Sequence, residues 1–437
     1  PPPPPPPPLT TPPPPPDIYP RPWSSAASDV YKRQAADWVP GGVFLPTITS
    51  DVKHTGRYAA RLGRLAQSTT IISGDVVGPN GTQLATDAQG TVHAVWAGYH
   101  SDMHNIFYAQ LATGKTWTTP VNVSNTSRES TRPHMAVGED GQVHVVWVND
   151  MSGNWDDILY AHRDGNGNWS SPVNLSNSEC YSTQSRVAVD GDGAAHIVWT
   201  EPGDSTDILY VRRDRDGTWS SPVSVIDSTG YRRQAQIVVG SDNVVHVAWA
   251  GSATYYVRRD TSGDWSAPQS ISDWAYAGLS HLVVDDRNVV HAVWACPADI
   301  CYARGSSDGI WSSPVNISNN YGSSGWPRLV VTDDEIVHVV WHDRAPGNED
   351  ILYAQRQTNG TWSPPENVTN NSTDSVYPKL AADGTGVLHV IWQDGIDDKE
   401  DIYYTWRGLD GTWAQKQNLS DNAVLSWAHA MTVDKED

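Results

Sequence analysis

The amino-acid sequence predicts an all-β chain folded as a seven-bladed β-propeller, and three observations lead to this prediction. The composition combines 21 Trp and 18 Tyr with only 2 Phe, together with 35 Gly and 31 Pro, which is typical of strands joined by many turns. A His-x-x-Trp pair recurs seven times. A Tyr that precedes a second Trp by nine residues also recurs seven times. Supersecondary units repeated at this period stack into propellers or solenoids.

The two repeated columns run through the chain in the same order. The first column consists of His93/Trp96, His144/Trp147, His196/Trp199, His246/Trp249, His291/Trp294, His338/Trp341 and His389/Trp392. The second consists of Tyr108/Trp117, Tyr160/Trp169, Tyr210/Trp219, Tyr256/Trp265, Tyr302/Trp311, Tyr353/Trp362 and Tyr404/Trp413. Successive histidines are 45 to 52 residues apart, which is the length of one four-stranded blade.

Four strands are predicted in each repeat. In the second repeat, strand a is HMAVG (134–138), strand b is VHVVW (143–147), strand c is DILYAHR (157–163) and strand d is WSSPVNLS (169–176). Strand b is apolar on both faces, so we expect it to be covered on both sides. Turns with Asp-Gly or Asn-Gly join strands c and d.

The repeats assign residues 77–437 to the propeller, with seven complete repeats and one additional strand a in WAHAMTVDKED (427–437). That strand either closes the ring beside the first blade or begins a further repeat. Residues 1–34 are a Pro-rich segment that we expect to be disordered. Within it, DVYKRQ (29–34) resembles the transposon end used in sequencing libraries, so we interpret residues 1–34 as an assembly artefact, with a genuine Pro-rich linker as the alternative.

Residues 35–76 are predicted to be a partial β-sandwich stub and linker. The segment VKHTGRYAARLG (52–63) resembles the closing strands of jelly-roll carbohydrate-binding modules. A β-rich remnant of a preceding domain is the alternative.

The turns between strands c and d carry a second resemblance. RDGNGNW (163–169), RDRDGTW (213–219) and QTNGTW (357–362) are similar to the Asp-box turns (BNR repeats) of the sialidase-type propeller superfamily, although the glycine lies closer to the tryptophan than in that motif. The repeats are also similar to those of seven-bladed bacterial lectins. The resemblance implies a propeller that binds glycans or, as the alternative, a sialidase-like glycoside hydrolase.

The repeated histidines and tryptophans are predicted to be structural, because an active site is one constellation and cannot occur in seven copies. We assign this role to His144, Trp147, His338 and Trp341. The histidines are expected to hydrogen-bond buried polar groups between blades, since an unpaired buried imidazole is costly. The tryptophans are expected to pack between blades.

A third column stands ten residues before each repeated histidine, on the predicted innermost strand. Its members are long and polar: Gln83, His134, Arg186, Gln236, His281, Arg328 and Lys379. We expect them to line the central channel, where water-filled lining is the alternative to ligand binding. Sialidases hold a substrate carboxylate with an arginine triad, but here only Arg186 and Arg328 correspond, and no third arginine, acid or Tyr/Glu pair can be assigned.

Candidate ligand-binding residues therefore fall into two groups. The channel-mouth group consists of His134, Arg186, Gln236, His281, Trp326, Arg328 and Lys379. The loop-aromatic group consists of Trp155, Tyr181, Tyr231, Trp274, Tyr276, Tyr321 and Tyr377, which we place in the d-to-a and b-to-c loops on one face beside acids such as Asp157 and Asp350. Aromatic rings beside polar groups are suited to sugars, whereas anchoring of the loops is the alternative. No catalytic or metal-binding residue is assigned.

The net charge of −21 argues against nucleic acid as a partner, and no apolar run is long enough for membrane insertion.

Cys296 and Cys301 are spaced to close a hairpin in an oxidising compartment, and we expect the protein to be extracellular or on the cell surface. The Asp-rich loops leave calcium binding as an open alternative, although no EF-type spacing occurs. No other cofactor is indicated. We expect a non-catalytic propeller that recognises glycans or cell-surface glycoconjugates, with a sialidase-like hydrolase or a protein-binding scaffold as the alternatives.

Overall fold

The computed structural model describes residues 77–100, 103–112, 116–150, 155–201, 207–226, 233–272, 278–396, 399–420 and 429–433. In this part of the chain, 28 strands form seven antiparallel sheets, each with four strands in the order a, b, c, d. The predicted seven-bladed propeller is therefore confirmed. The predictions for residues 1–34 and 35–76 lie outside the described residues.

Strands a and b form the inner half of each blade. The a strands are β1 (Val77–Thr86), β5 (Ser130–Val137), β9 (Thr183–Val189), β13 (Arg233–Val239), β17 (Gly278–Val284), β21 (Ser324–Val331) and β25 (Asp374–Ala382). The b strands are β2 (Val92–His100), β6 (Val143–Asp150), β10 (Ala195–Glu201), β14 (Val245–Ala250), β18 (Val290–Cys296), β22 (Val337–Asp343) and β26 (Leu388–Ile396).

Strands c and d form the outer half. The c strands are β3 (Met103–Leu111), β7 (Asp156–Arg163), β11 (Asp207–Arg213), β15 (Thr254–Arg259), β19 (Asp299–Gly305), β23 (Asp350–Arg356) and β27 (Lys399–Arg407). The d strands are β4 (Val121–Asn122), β8 (Val173–Asn174), β12 (Val223–Ser224), β16 (Gln269–Ser270), β20 (Val315–Asn316), β24 (Glu366–Asn367) and β28 (Gln417–Asn418).

The d strands are much shorter than the sequence predicts. In the second blade, Trp169 makes one isolated bridge to Arg163, and pairing resumes only at Val173. Pro172 lies between them and has no N–H to donate to a ladder. A short outer strand also exposes little unpaired backbone at the edge of the blade.

The first tryptophan column packs between blades. Trp147 of β6 is fully buried in a cluster with Ile106 and Tyr108 of the preceding blade. Six clusters of this kind each join two successive blades. The apolar interior is therefore a set of layers between neighbouring sheets, and strand b is buried on both faces because each face meets a different layer.

The repeated histidine forms its hydrogen bond inside its own blade, and the expectation of a partner between blades is wrong. Nδ1 of each histidine lies 2.7–2.9 Å from a tyrosine hydroxyl of strand c, as in His144–Tyr160 and His338–Tyr353. The two strands are direct neighbours, so the ladder itself brings the side chains together. The tyrosine ring then contacts the next blade, because the strand d tryptophan of that blade meets it edge-on at six junctions.

The second imidazole nitrogen is satisfied in only some blades. In the four odd-numbered blades, Nε2 forms a hydrogen bond with the carboxylate of Asp87, Asp190, Asp285 or Asp383. In the sixth blade it forms one with the hydroxyl of Thr332. Glycine occupies the same position in the second and fourth blades, where Nε2 of His144 and His246 has no partner among the described residues. Burial lowers the pKa of His144 to about 3 and that of His338 to about 4, so these imidazoles are neutral.

Two further contacts complete the frame. Cys296 and Cys301 form a disulfide that closes the hairpin between β18 and β19. The segment 429–433 lies between the last and first blades: His429 Nε2 is 2.7 Å from the carbonyl oxygen of Tyr377, and Thr432 Oγ1 is 2.9 Å from Thr86 Oγ1. The additional strand a predicted from the sequence therefore contacts both blades.

We expect Trp341→Ala to reduce the free energy of unfolding by about 3–5 kcal/mol, because the change empties a fully buried aromatic site between the fifth and sixth blades. Urea unfolding followed by Trp fluorescence measures the loss. Leu409→Ala, at a side chain that is 74% exposed, is the matched control and should leave the midpoint unchanged. An unchanged midpoint for Trp341→Ala would contradict the proposed packing.

Tyr353→Phe should destabilise the protein by about 1–2 kcal/mol, because the hydroxyl bonds His338 Nδ1 and donates to Gln355 Oε1, and its removal leaves a buried imidazole nitrogen unpaired. Tyr321→Phe, at a fully exposed ring, is the control. Equal unfolding midpoints for the two variants would show that the His–Tyr bond contributes nothing.

Candidate functional site

The polar column of the inner strands occupies one level of the propeller. Each member pairs with the residue two positions after the repeated histidine of its blade: Gln83, His134, Arg186, Gln236, His281, Arg328 and Lys379. His134 and His281 accept hydrogen bonds from the backbone N–H groups of Val187 and Leu329 in the following blade. These two histidines therefore join inner strands as well as lining the channel.

Three cations converge in this channel. Burial, together with the charges of Arg328 and Arg186, lowers the pKa of Lys379 to about 7. Burial likewise lowers the pKa of Arg328 to about 10, again with Arg186 as a second cause. Among the described residues, no carboxylate forms an ion pair with Lys379 or Arg186. The channel is therefore cationic inside a protein whose net charge is −21.

The imidazoles beside these cations carry no compensating or additional charge. Burial lowers the pKa of His281 and of His429 to about 3, and the charges of Arg328 and Lys379 contribute to both shifts. The guanidinium groups use backbone oxygens: Nη1 of Arg186 donates to the carbonyl of Ser185, and Nη1 of Arg328 donates to the carbonyl of Pro327.

A bulge interrupts each inner strand just outside this level, where the ladder to strand b shifts register. The residue two positions before the channel residue has positive φ at six of these bulges: Gly81, Arg132, Gln184, Gln234, Trp326 and Tyr377. A bulge bends its strand and redirects the extra side chain. Sequence reasoning did not find these bulges, because only Gly81 is of the residue type that usually marks positive φ.

Trp326 and Tyr377 are the unusual members of this set. Their φ values are 52° and 55°, a conformation that costs a bulky residue about 1–3 kcal/mol. Their side chains are 53% and 42% exposed, and the rings meet edge-on at 5.2 Å between centroids. Core packing does not account for strained aromatic rings that face solvent. Both residues lie within strands β21 and β25, so their predicted placement in the d-to-a loops is wrong.

His342 lies against this aromatic pair and was not singled out by the sequence analysis. Its ring centroid is 6.0 Å from that of Tyr377, and burial lowers its pKa to about 4. Nδ1 is buried without a hydrogen-bond partner in the described part of the chain. A Cβ on Gly325 would stand 2.6 Å from His342 Nε2, so the glycine makes room for the ring. One feature of the sequence could have identified His342: the residue after the repeated tryptophan is usually small, but after Trp341 it is a histidine.

The loop that follows His342 brings a carboxylate to the same junction. Arg344 Nε donates to Glu349 Oε1 at 2.7 Å, whereas Oε2 is buried without a partner among the described residues. Burial raises the pKa of Glu349, and the Arg344 charge opposes that rise. Backbone bonds to Asp374 and Ser375 hold Glu349 beside the inner strand of the seventh blade. We call Trp326, His342, Tyr377, Arg328 and Lys379 the blade 6–7 site, with Glu349 at its edge.

The remaining loop aromatics do not join this site. Trp155 and Tyr181 form a separate exposed pair at 5.1 Å between the second and third blades, and Tyr321 is fully exposed. Tyr231, Trp274 and Tyr276 lie outside the described residues. The four described members of the loop-aromatic group therefore lie in three places: Trp155 with Tyr181, Tyr377 with Trp326, and Tyr321 exposed elsewhere.

The acids predicted to serve a sugar site instead hold strand d in place. Asp157 accepts hydrogen bonds from Asn174 Nδ2 and Ser176 Oγ, both at 2.7 Å. Asp350 makes the equivalent bonds to Asn367 and Thr369. These carboxylates are occupied, so the expectation that they are free for a ligand is wrong.

In the described residues, no group of three or more His, Cys, Asp or Glu side chains is placed to hold a metal ion. The same part of the chain contains no helix with the length and apolar character needed to span a membrane.

Lys379→Met should stabilise the protein in a pH-dependent way. Because the pKa of Lys379 is lowered on folding, the charged amine opposes folding fully below pH 7, progressively less as the pH rises, and not at all above its unfolded value near 10.5. We therefore expect a higher melting temperature for the variant at pH 6 and no difference near pH 10.5. Lys416→Met, at a partly buried lysine whose pKa is also lowered by burial, is the comparison and should show a smaller gain. A gain for Lys379→Met that is equal at both pH values would contradict the buried charge.

Comparison with known proteins gives the fold. No protein-family model and no curated protein matches the sequence. Among solved structures, the chain is similar to the BP39L lectin from Burkholderia pseudomallei, with 12% identity, a TM-score of 0.58, and 78% of this chain and 98% of the lectin covered. It also matches an intramolecular trans-sialidase from Ruminococcus gnavus, with 13% identity, a TM-score of 0.45, and 80% and 99% of the two chains covered. At these identities the likeness shows the fold alone, and that fold is the β-propeller.

Proposed function

We propose that this protein is a non-catalytic binding propeller that recognises an acidic glycan at the blade 6–7 site. The observation that carries the proposal is the pairing of two features: the strained, exposed rings of Trp326 and Tyr377, and the buried cations Arg328 and Lys379 on the same two strands. In each strand only one residue, a proline, separates the ring from the cation, so one ligand can meet both.

The chemistry of the two features suits a sugar that carries a carboxylate. The apolar face of a pyranose stacks on an exposed aromatic ring. A guanidinium binds a carboxylate through parallel, charge-assisted hydrogen bonds. The unpartnered Nδ1 of His342 offers a further polar contact for a hydroxyl group.

The context of the site supports a binding role. The BP39L protein, which shares the fold, is named a lectin. The connections between β14 and β15 and between β18 and β19 are very short. Glu349 is engaged by Arg344, which favours a structural carboxylate over a general acid.

The proposal extends to the location of the protein. Glycans that carry acidic sugars are displayed on cell surfaces, and the Cys296–Cys301 disulfide is of the kind that persists in oxidising compartments. We therefore propose a secreted or surface-exposed protein whose partners are cell-surface glycoconjugates.

Calorimetric titration of the full chain with acidic and neutral glycans tests the function. We expect the wild type to prefer the acidic glycan, and Arg328→Ala and Trp326→Ala each to weaken that binding about tenfold or more, since a charge-assisted bond contributes about 1.5–3 kcal/mol. Arg287→Ala removes an exposed surface arginine and is the matched control.

Each alternative result has a definite meaning. Equal affinity for neutral glycans, or full affinity in both site variants, would refute the blade 6–7 site. A loss confined to Trp155→Ala would move the site to the Trp155/Tyr181 pair. Release of free sugar from the glycan would refute the non-catalytic assignment and favour a glycoside hydrolase, and absence of binding to any glycan would favour a protein-binding scaffold.

A further inference from the structure

The segment 429–433 takes the position that the inner strand of a following blade takes elsewhere in the ring. At six junctions the inner strands of successive blades pack side by side, from β1 against β5 to β21 against β25. Of the described strands, β25 and β1 do not pack in this way. The segment instead contacts both, through His429 to the carbonyl oxygen of Tyr377 and through Thr432 to Thr86. It therefore connects the last blade to the first.

Tyr377 has a backbone conformation that needs support from its surroundings. Its φ of 55° lies in the left-handed region, which a bulky residue rarely adopts. Pro378 follows it, and a proline further restricts the residue before it toward extended backbone. The ring of Tyr377 is 42% exposed, so packing of the side chain gives limited support. A conformation of this kind persists only where neighbouring groups hold it.

His429 bonds the backbone of Tyr377. Its Nε2 lies 2.7 Å from the carbonyl oxygen, and the residue is only 6% exposed. Burial, followed by the charge of Lys379, lowers the pKa of His429 to about 3, so the imidazole is neutral. Because a carbonyl oxygen can only accept, Nε2 carries the single proton and donates it. The bond fixes the plane of the peptide that joins Tyr377 to Pro378.

A histidine at this position is specific to the closing segment. Alignment of WAHAMTV (427–433) with TRPHMAV (131–137) places His429 at a position that is proline in three blades: Pro133, Pro327 and Pro378. A proline side chain has no donor, so it could not form the bond. The support of Tyr377 therefore depends on a residue that the repeat does not supply.

We propose that His429 is a positioning residue for the blade 6–7 site: by donating to the carbonyl oxygen of Tyr377, it holds that residue in the left-handed conformation in which its ring meets Trp326. The segment that closes the ring thereby also sets the geometry of the ligand site. The effect of His429 on Tyr377 is independent of any ligand, and its effect on binding rests on the proposed function.

Two NMR measurements on the full chain, without any glycan, test the positioning. In the wild type, the nitrogen-15 spectrum should show His429 with a proton on Nε2 and none on Nδ1. With fluorotyrosine at position 377, the fluorine resonance should be displaced by the neighbouring ring of Trp326, and Trp326→Ala gives the reference without that ring. His429→Leu should move the resonance to the reference, whereas His429→Gln, whose amide donor can replace Nε2, should restore the wild-type value.

Titration with the acidic glycan tests the consequence for binding. We expect His429→Leu to weaken binding about tenfold, equivalent to about 1.4 kcal/mol, because the ring of Tyr377 must then be ordered when the ligand binds. His429→Gln should bind like the wild type. Thr432→Val is the matched control, since it removes the bond to Thr86 from the same segment and leaves the bond to Tyr377. It should lower the melting temperature without changing the affinity.

Four results would overturn the proposal. They are a proton on Nδ1 with none on Nε2 in wild-type His429, an unmoved fluorine resonance in His429→Leu, full glycan affinity in His429→Leu, and an equal loss of affinity in Thr432→Val. The wild-type nitrogen spectrum needs no substitution, so it decides the matter even where His429→Leu fails to fold. If no glycan binds at all, the proposed function fails, while the two spectra still decide whether His429 positions Tyr377.

Discussion

The structure depends on one repeated set of buried contacts: an imidazole bonds a tyrosine hydroxyl within each of the seven blades, and at six described junctions the tyrosine ring meets the edge of a tryptophan from the next blade. In the second blade these groups are His144 and Tyr160, with Trp219 from the third blade at 4.9 Å between centroids. The hydrogen bond pairs strand b with strand c, and the ring contact pairs one blade with the next. Because both groups are neutral and each satisfies one polar atom of the other, the hydrogen bond reduces the cost of burying them.

A ring built this way places seven inner strands around one axis, and side chains at one level of those strands are forced together. Gln83 and Gln236 are compatible with that crowding, whereas Arg186, Arg328 and Lys379 are not: beyond the effect of burial, Arg186 lowers the pKa of Arg328, and both arginines lower the pKa of Lys379. Cations are retained there although they oppose folding. Functional sites are where such local conflicts concentrate.

The same junction breaks the repeat in other ways. The sixth blade has His342 where its counterparts have small or polar residues, and Gly325 makes room for that ring. Trp326 and Tyr377 hold a backbone conformation that most residues avoid. Aromatic rings, a neutral imidazole and cations thus come from three strands, β21, β22 and β25, and the ligand chemistry proposed for them follows from this combination and from no single residue.

The sequence by itself determined the all-β class, the seven repeats, the columns and the level of the channel residues, because each follows from spacing that recurs along the chain. It also identified Trp326, Tyr377, Arg328 and Lys379. Only the tertiary structure decided that Trp326 and Tyr377 meet, that His342 contacts Tyr377, and that Asp157 and Asp350 bond strand d. It alone also placed the partner of His144 within its own blade and shortened the d strands. The physical reason is that repeat spacing specifies which residues share a level, whereas bulges, left-handed backbone and pairing between blades depend on contacts between strands about fifty residues apart.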